Sequence, residues 1–175
     1  TCSGTTTWTC SNIALQSGSN ILTVTARDAA NNTGTDVLTV TYTPQDTVSP
    51  TTAITSPTTG TTYSTTSTPI TLGGTASDNV GVTQVTWVND RGGSGTCSGT
   101  TTWTCSNIAL QTGSNLLTVT AKDAANNSGT DTLTVTYTDV TVPTITITSP
   151  TTDTTYSTAS TPITLGGTAS DNVGV

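Results

Sequence analysis

Residues 116–138 read LLTVTAKDAANNSGTDTLTVTYT. In the first part Leu117, Val119 and Ala121 alternate with Thr118 and Thr120; in the last part Leu133, Val135 and Tyr137 alternate with Thr134 and Thr136. A period of two places alternate side chains on opposite faces of a strand. Each part therefore predicts a half-buried strand, aliphatic inward and Thr outward. DAANNSG between them is rich in the Asp, Asn and Gly that make turns. The stretch recurs as ILTVTARDAANNTGTDVLTVTYT at Ile21–Thr43, 95 residues earlier.

Composition agrees with an all-β reading. Of 175 residues 52 are Thr, while Phe, Met, His and Glu are absent. Thr suits a pleated surface because its Cβ is branched. Few aromatics and only 7% charged residues resemble a disordered composition, but strict alternation of β-branched and aliphatic residues argues against disorder. The net charge of −7 disfavours nucleic acid, whose phosphates need clustered Lys and Arg, and anionic membrane surfaces. No apolar run reaches the roughly 18 residues of a membrane span. With no signal peptide and no initiator Met, the sequence reads as an interior piece of something longer.

The repeat extends over the whole chain. Thr1–Thr43 aligns with Thr96–Thr138, and Ser56–Val82 with Ser149–Val175 at an offset of 93. The offset changes where PQDTVSP (Pro44–Pro50) is replaced by DVTVP (Asp139–Pro143), and length changes collect in linkers. The organisation expected is a second half-repeat over 1–43, a linker over 44–49, a complete repeat over 50–138, a linker over 139–142, and a first half-repeat over 143–175. The complete repeat offers seven strand candidates: 52–57, 67–77, 82–89, a hairpin of 96–99 with 102–110, 116–123 and 130–138. Seven short strands with turns every 8 to 12 residues predict tandem immunoglobulin-like β-sandwiches.

ASDNVGVTQVTW, the Trp-containing hairpin, SNLLTVTAKDAANNSGTDTLTVTYT and the SP-rich linker together resemble bacterial immunoglobulin-like (Big-type) repeats. The resemblance covers essentially the whole chain. It implies tandem modules of secreted and surface proteins that act as stalks, adhesins or accessory modules. It is specific for fold and not for function. One departure is that the family usually carries Ala, Val or Ser where this chain has Cys.

Cys2 and Cys10, like Cys97 and Cys105, frame seven residues. There is no CxxC spacing and no His, which disfavours a metal site, and a catalytic thiol has no base partner. A hairpin would bring each pair within bridging range, so two intradomain disulfides and an oxidising compartment are expected, extracellular or cell-surface. Free buried thiols are the alternative. Asp46, Asp78, Asp139 and Asp171 sit in linkers and SDNVGV turns. They are calcium candidates, because carboxylates at a junction can chelate Ca²⁺. The competing reading is that Asp caps its own turn; no EF-hand or DxDxD ladder is present. Asn31 and Asn126 lie in N-x-S/T sequons. Trp8, Trp87 and Trp103 read as core rather than as a sugar platform.

No Ser, Cys or Asp has a catalytic partner arrangement, so no enzymatic site and no cofactor beyond the calcium candidate is expected. The sequence favours a structural segment of an extracellular stalk or filament, its partners being neighbouring repeats or copies of the same protein. Near-identical repeats favour a spacer over a reader. An adhesin or carbohydrate-binding accessory module with a glycan or cell-surface ligand is the alternative. Halves of different copies completing one another is a variant of the filament reading.

Overall fold

A computed structural model describes residues 2–175. Thr1, the first residue of the half-repeat expected over 1–43, lies outside them. The described residues form fourteen strands and no helix, and the chain divides into a unit ending at Asp46 and a unit over Thr47–Val175.

The first unit holds two hairpins. Strands β1 (Cys2–Gly4) and β2 (Trp8–Cys10) pair antiparallel, Cys2 opposite Cys10. Strands β3 (Gly18–Arg27) and β4 (Thr33–Tyr42) pair from Gly18↔Tyr42 to Arg27↔Thr33.

The second unit contains a complete two-layer sandwich. Its strands are β5 (Thr51–Ser56), β6 (Thr62–Thr65), β7 (Ile70–Ser77), β8 (Val82–Asn89), β9 (Ser94–Thr96), β10 (Thr102–Ile108), β11 (Gly113–Asp123) and β12 (Ser128–Tyr137). One sheet has the order β10-β7-β5 and the other β6-β12-β11-β8-β9. Every pairing is antiparallel except β6 with β12. A further hairpin follows, β13 (Thr144–Ser149) with β14 (Gly166–Ser170).

The alternation places the core where the sequence puts it. Leu117, Val119 and Ala121 of β11 and Leu133, Val135 and Tyr137 of β12 face inward. They meet Ile54, Leu72, Val85, Trp87, Trp103 and Ile108 from the other strands. Close packing leaves no room for a side chain at two glycines. A Cβ on Gly74 would collide with the Trp103 ring, and one on Gly129 with the Pro50 carbonyl.

The sandwich has eight strands where seven were expected. The additional one is β6, TYST, too short for its alternation to stand out from the Ser/Thr around it. Its partner β12 is distant in sequence and parallel to it. The expected hairpin of 96–99 with 102–110 is also redistributed. β9 pairs with β8 and β10 with β7, leaving one isolated bridge, Ser98↔Thr104, between the two segments. The edges of the two sheets meet there. Trp8, expected in a core, is 51% exposed in the first unit, while its counterpart Trp103 is 1% exposed.

The packing predicts an asymmetry between equivalent positions. Leu133→Ala removes a fully buried side chain and should cost about 2–5 kcal/mol. Leu38→Ala, one repeat earlier and exposed, should change stability by less than about 0.5 kcal/mol. Urea unfolding followed by tryptophan fluorescence checks both.

Candidate functional site

The features of the chain that could carry function are its disulfides, its carboxylate turns and its buried polar groups. Cys97 and Cys105 are disulfide-bonded with Cα atoms 4.2 Å apart, and Cys2 and Cys10 with Cα atoms 4.0 Å apart. In the complete repeat the bond links the two sheets. The Cys97 N–H donates to the Val85 carbonyl on the five-stranded sheet, while Cys105 pairs with Leu72 in the three-stranded sheet. Closing so short a loop contributes about 2–3 kcal/mol on the chain-entropy account. Cys97 and Cys105 are buried, whereas Cys2 is exposed and Cys10 half-buried.

The aspartates of the turns fold back on their own backbone. Asp78 Oδ2 accepts from the N–H groups of Val80 (2.9 Å) and Gly81 (3.0 Å). Those bonds, Gly81 first, favour the charged form and hold the carboxyl below its ordinary value. Asp171 accepts from the Val173 N–H at 3.1 Å in the same way. Asp139 accepts from the Thr141 N–H at 3.0 Å and from the Asn172 side chain at 3.2 Å. These bonds lower its pKa, with the Thr141 N–H the largest cause. Asp139 thereby ties its linker to the turn that follows β14. Asp46 is the corresponding linker residue one repeat earlier and closes the first unit. Asp28 and Asp123 are held by Asn32 and Asn127, each giving a backbone N–H to Oδ1 at 2.8 Å and a side-chain amide to Oδ2. The Asn32 side chain is the leading cause of a lowered Asp28 pKa. Asn31 and Asn126, the sequon residues, sit at φ of 73° and 69° beside these carboxylates, at exposed turn tips.

Of the calcium candidates, the structure brings Asp139 and Asp171 to neighbouring turns. It sets Asp78 beside Asp123, the Asp of the DAANN turn and not one of the four calcium candidates; a carboxylate oxygen of each lies within 4.8 Å of the other. Asp78 Oδ1 and Asp171 Oδ1 are buried without a hydrogen-bond partner.

Three further polar side chains, Asn115, Asn89 and Asp131, fall in none of the motifs above. Asn115 is fully buried: its Oδ1 accepts from the Gln111 N–H at 2.9 Å and from Asn89 Nδ2 at 3.2 Å, and its Nδ2 donates to the Gln111 carbonyl at 2.7 Å. Asn89 also donates to the Ala109 carbonyl at 3.1 Å. The signal was parity. Asn115 shares the inward phase of Leu117, Val119, Ala121 and Asp123, and Asn89 shares that of Val85 and Trp87. Asp131 reaches from β12 across to the other sheet, its Oδ2 accepting from the Ile54 N–H at 2.8 Å. A lone Asp among Thr residues carries no sequence signal for such a link.

All four cysteines are disulfide-bonded, so none offers a thiolate. No helix among the described residues is long and apolar enough to cross a membrane.

Residues 50–135 match the bacterial Ig domain family. No curated protein matches the chain. A solved structure similar to it contains the fibronectin(III)-like modules of Clostridium thermocellum CbhA, at 19% identity and a TM-score of 0.43. That likeness covers 71% of this chain and 65% of the other.

Three outcomes follow from this geometry. Replacing Cys97 and Cys105 together by Ala should lower the stability of the complete repeat by about 2–3 kcal/mol in denaturant titration. Under mild reductant with alkylation and mass spectrometry, Cys2 and Cys10 should be labelled before the buried pair. Acid should loosen the turns. A lowered folded pKa means that the stability contributed by Asp78 and Asp139 is present above the ordinary carboxylate value of 3.8 and is withdrawn as pH falls below it. Melting temperature should hold between about pH 5 and 7 and drop below about pH 4, less steeply in a D78N/D139N variant.

Proposed function

We propose that this chain, whose residues 50–135 form a bacterial Ig domain, is a segment of an extracellular stalk or filament that covers distance by stacking disulfide-stapled repeats end to end, with no catalytic step. One observation carries the reading. The Pro50 carbonyl lies against Gly129 at the start of β12, and β12 runs on to Tyr137, where the repeat ends. Eight residues of strand at about 3.4 Å each separate the two points by about 27 Å. The repeat thus receives the chain at one end and releases it at the other. Short linkers then turn successive repeats into axial advance, and Asp139, holding the turn after β14, supports a stiff junction. Two disulfides support an oxidising location outside the cytoplasm. Outward Thr residues and few charges give surfaces with little to recognise.

A second reading concerns calcium and has its own observation. Two carboxylates within 4.8 Å repel each other, and Asp78 Oδ1 accepts no hydrogen bond. A Ca²⁺ ion between Asp78 and Asp123 would relieve both conditions, with Asp139 and Asp171 the candidates at the following junction and Asp46 the linker residue equivalent to Asp139.

Electron microscopy of a four-repeat polypeptide should show an advance of about 35–45 Å per repeat, the length of an eleven-residue strand plus end loops. An advance near half that length overturns end-to-end stacking, and specific glycan binding by a single repeat would favour the adhesin or carbohydrate-binding reading. For calcium, EDTA should lower the melting temperature by several degrees, and an unchanged value removes the ion.

A further inference from the structure

We propose that Asn126 is a glycosylation site: its side-chain amide accepts a sugar from a phosphate-activated donor, at the tip of the turn between β11 and β12. The sequon is Asn126-Asn127-Ser128, and Asn31-Asn32-Thr33 stands at the equivalent place one repeat earlier. The extracellular setting rests on the reading above; the site itself rests on the turn.

The turn divides two tasks between its two asparagines. Asn127 closes it: its backbone N–H donates to Asp123 Oδ1 at 2.8 Å and its side-chain amide to Asp123 Oδ2 at 2.7 Å. Asn126 stands beyond these bonds, exposed, with a φ of 69°. The side-chain amides of Asn89, Asn115 and Asn127 are committed to carbonyls or a carboxylate. Among the described residues nothing engages the amide of Asn126. Ser128, also exposed, opens β12 opposite Lys122. The Asp123 cap thus fixes the backbone and leaves both the amide and the hydroxyl of the sequon in water, where a bulky polar group is accepted.

Turn geometry accounts for an Asn at positive φ, and glycine would meet the same need. It does not account for the hydroxyl two residues on. Residues 1–43 and 96–138 differ at five positions. At one of them Val37 stands where the later copy has Thr132, so the strand does not demand a hydroxyl there. At another, Thr33 stands where the later copy has Ser128; the residue has changed and the hydroxyl has stayed.

In the transfer Asn126 Nδ2 forms a bond to the anomeric carbon of the sugar. The bond from that carbon to the donor phosphate oxygen breaks, its electron pair leaving with the phosphate, and an amide proton passes to a base of the transferase. A nucleotide and a lipid pyrophosphate are the two sources of such a sugar. The modified residue marks the end of the repeat at which the chain enters, because Gly129, next to Ser128, lies against the Pro50 carbonyl. In an array the glycan recurs once per repeat at that entry.

Peptide mass spectrometry of the protein isolated from the cells that make it tests this. The expected result is a sugar mass on Asn126 and none on Asn127; an unmodified Asn126 overturns the proposal. The folded 175-residue chain is also offered UDP-glucose with a soluble asparagine glycosyltransferase and, in a parallel arm, a lipid pyrophosphate-linked oligosaccharide with a membrane transferase. The arm that modifies Asn126 identifies the donor. Ser128→Ala should abolish the modification and leave the melting temperature unchanged, and Ser128→Thr, the residue of the earlier copy, should retain it. Modification of the Ser128→Ala chain at the wild-type rate, or of the wild-type chain only after denaturation, overturns the proposal as well. Glycan occupancy is read by mass and axial advance by microscopy, so the failure of either reading leaves the other standing.

Discussion

A sheet with one apolar face must be covered, and the rest of this structure depends on that constraint. In the complete repeat the cover is supplied internally. The three-stranded sheet closes over β11 and β12 and sixteen hydrophobic residues leave water together. Small domains bury a modest fraction of their surface, so each closing contact counts. The Trp103 ring packs on its cross-strand neighbour Gly74 within the three-stranded sheet, and the Cys97–Cys105 bond ties the edges of the two sheets. In the first unit β3 and β4 pair in the same register as β11 and β12, yet Leu38 is exposed where its counterpart Leu133 is buried. Backbone pairing is local here, and burial is not.

Polar groups in the sandwich do a different task. Buried amides and carboxylates cost free energy unless they are satisfied. Asn115 is satisfied five ways, by the Gln111 N–H and carbonyl, the Gly113 and Val135 carbonyls and Asn89. Such groups fix which strand ends meet. Asn115 and Asn89 define one pole of the domain, Asp123 and Asn127 the other, and Asp131 pins the first strand to the last. The net result is a module whose ends are better defined than its Thr-covered flanks.

Much of this was legible in the sequence. The parity of Leu117, Val119 and Ala121 reports burial directly, and the repeat offset locates the linkers because length changes accumulate there. Other features were not legible for physical reasons. β6 is four residues of Ser, Thr and Tyr held by a parallel partner some seventy residues away, and local pattern carries no information about such a partner. The hairpin around Cys97 reads as a simple ribbon, but its two arms belong to different sheets, a choice made by β7 and β8 rather than by the loop itself. Asp78 and Asp139 were legible as turn formers. That Asp78 stands beside Asp123 depends on the Asp123↔Val82 pairing at a register shift, which only the folded sheet sets.

The parallel pairing of β6 with β12 has a mechanical consequence. Thr62–Thr65 lies alongside Thr134–Tyr137 at the end where the chain leaves the repeat, with the Thr134 N–H bonded to the Thr61 carbonyl and the Thr138 N–H to the Thr65 carbonyl. Tension applied through the linkers draws Thr51 and Tyr137 apart along the strand axis. The hydrogen bonds between β6 and β12 lie across that axis and are loaded together in shear, rather than opened one after another from an end. The strand least visible in the sequence is thus a clamp set across the pulling axis.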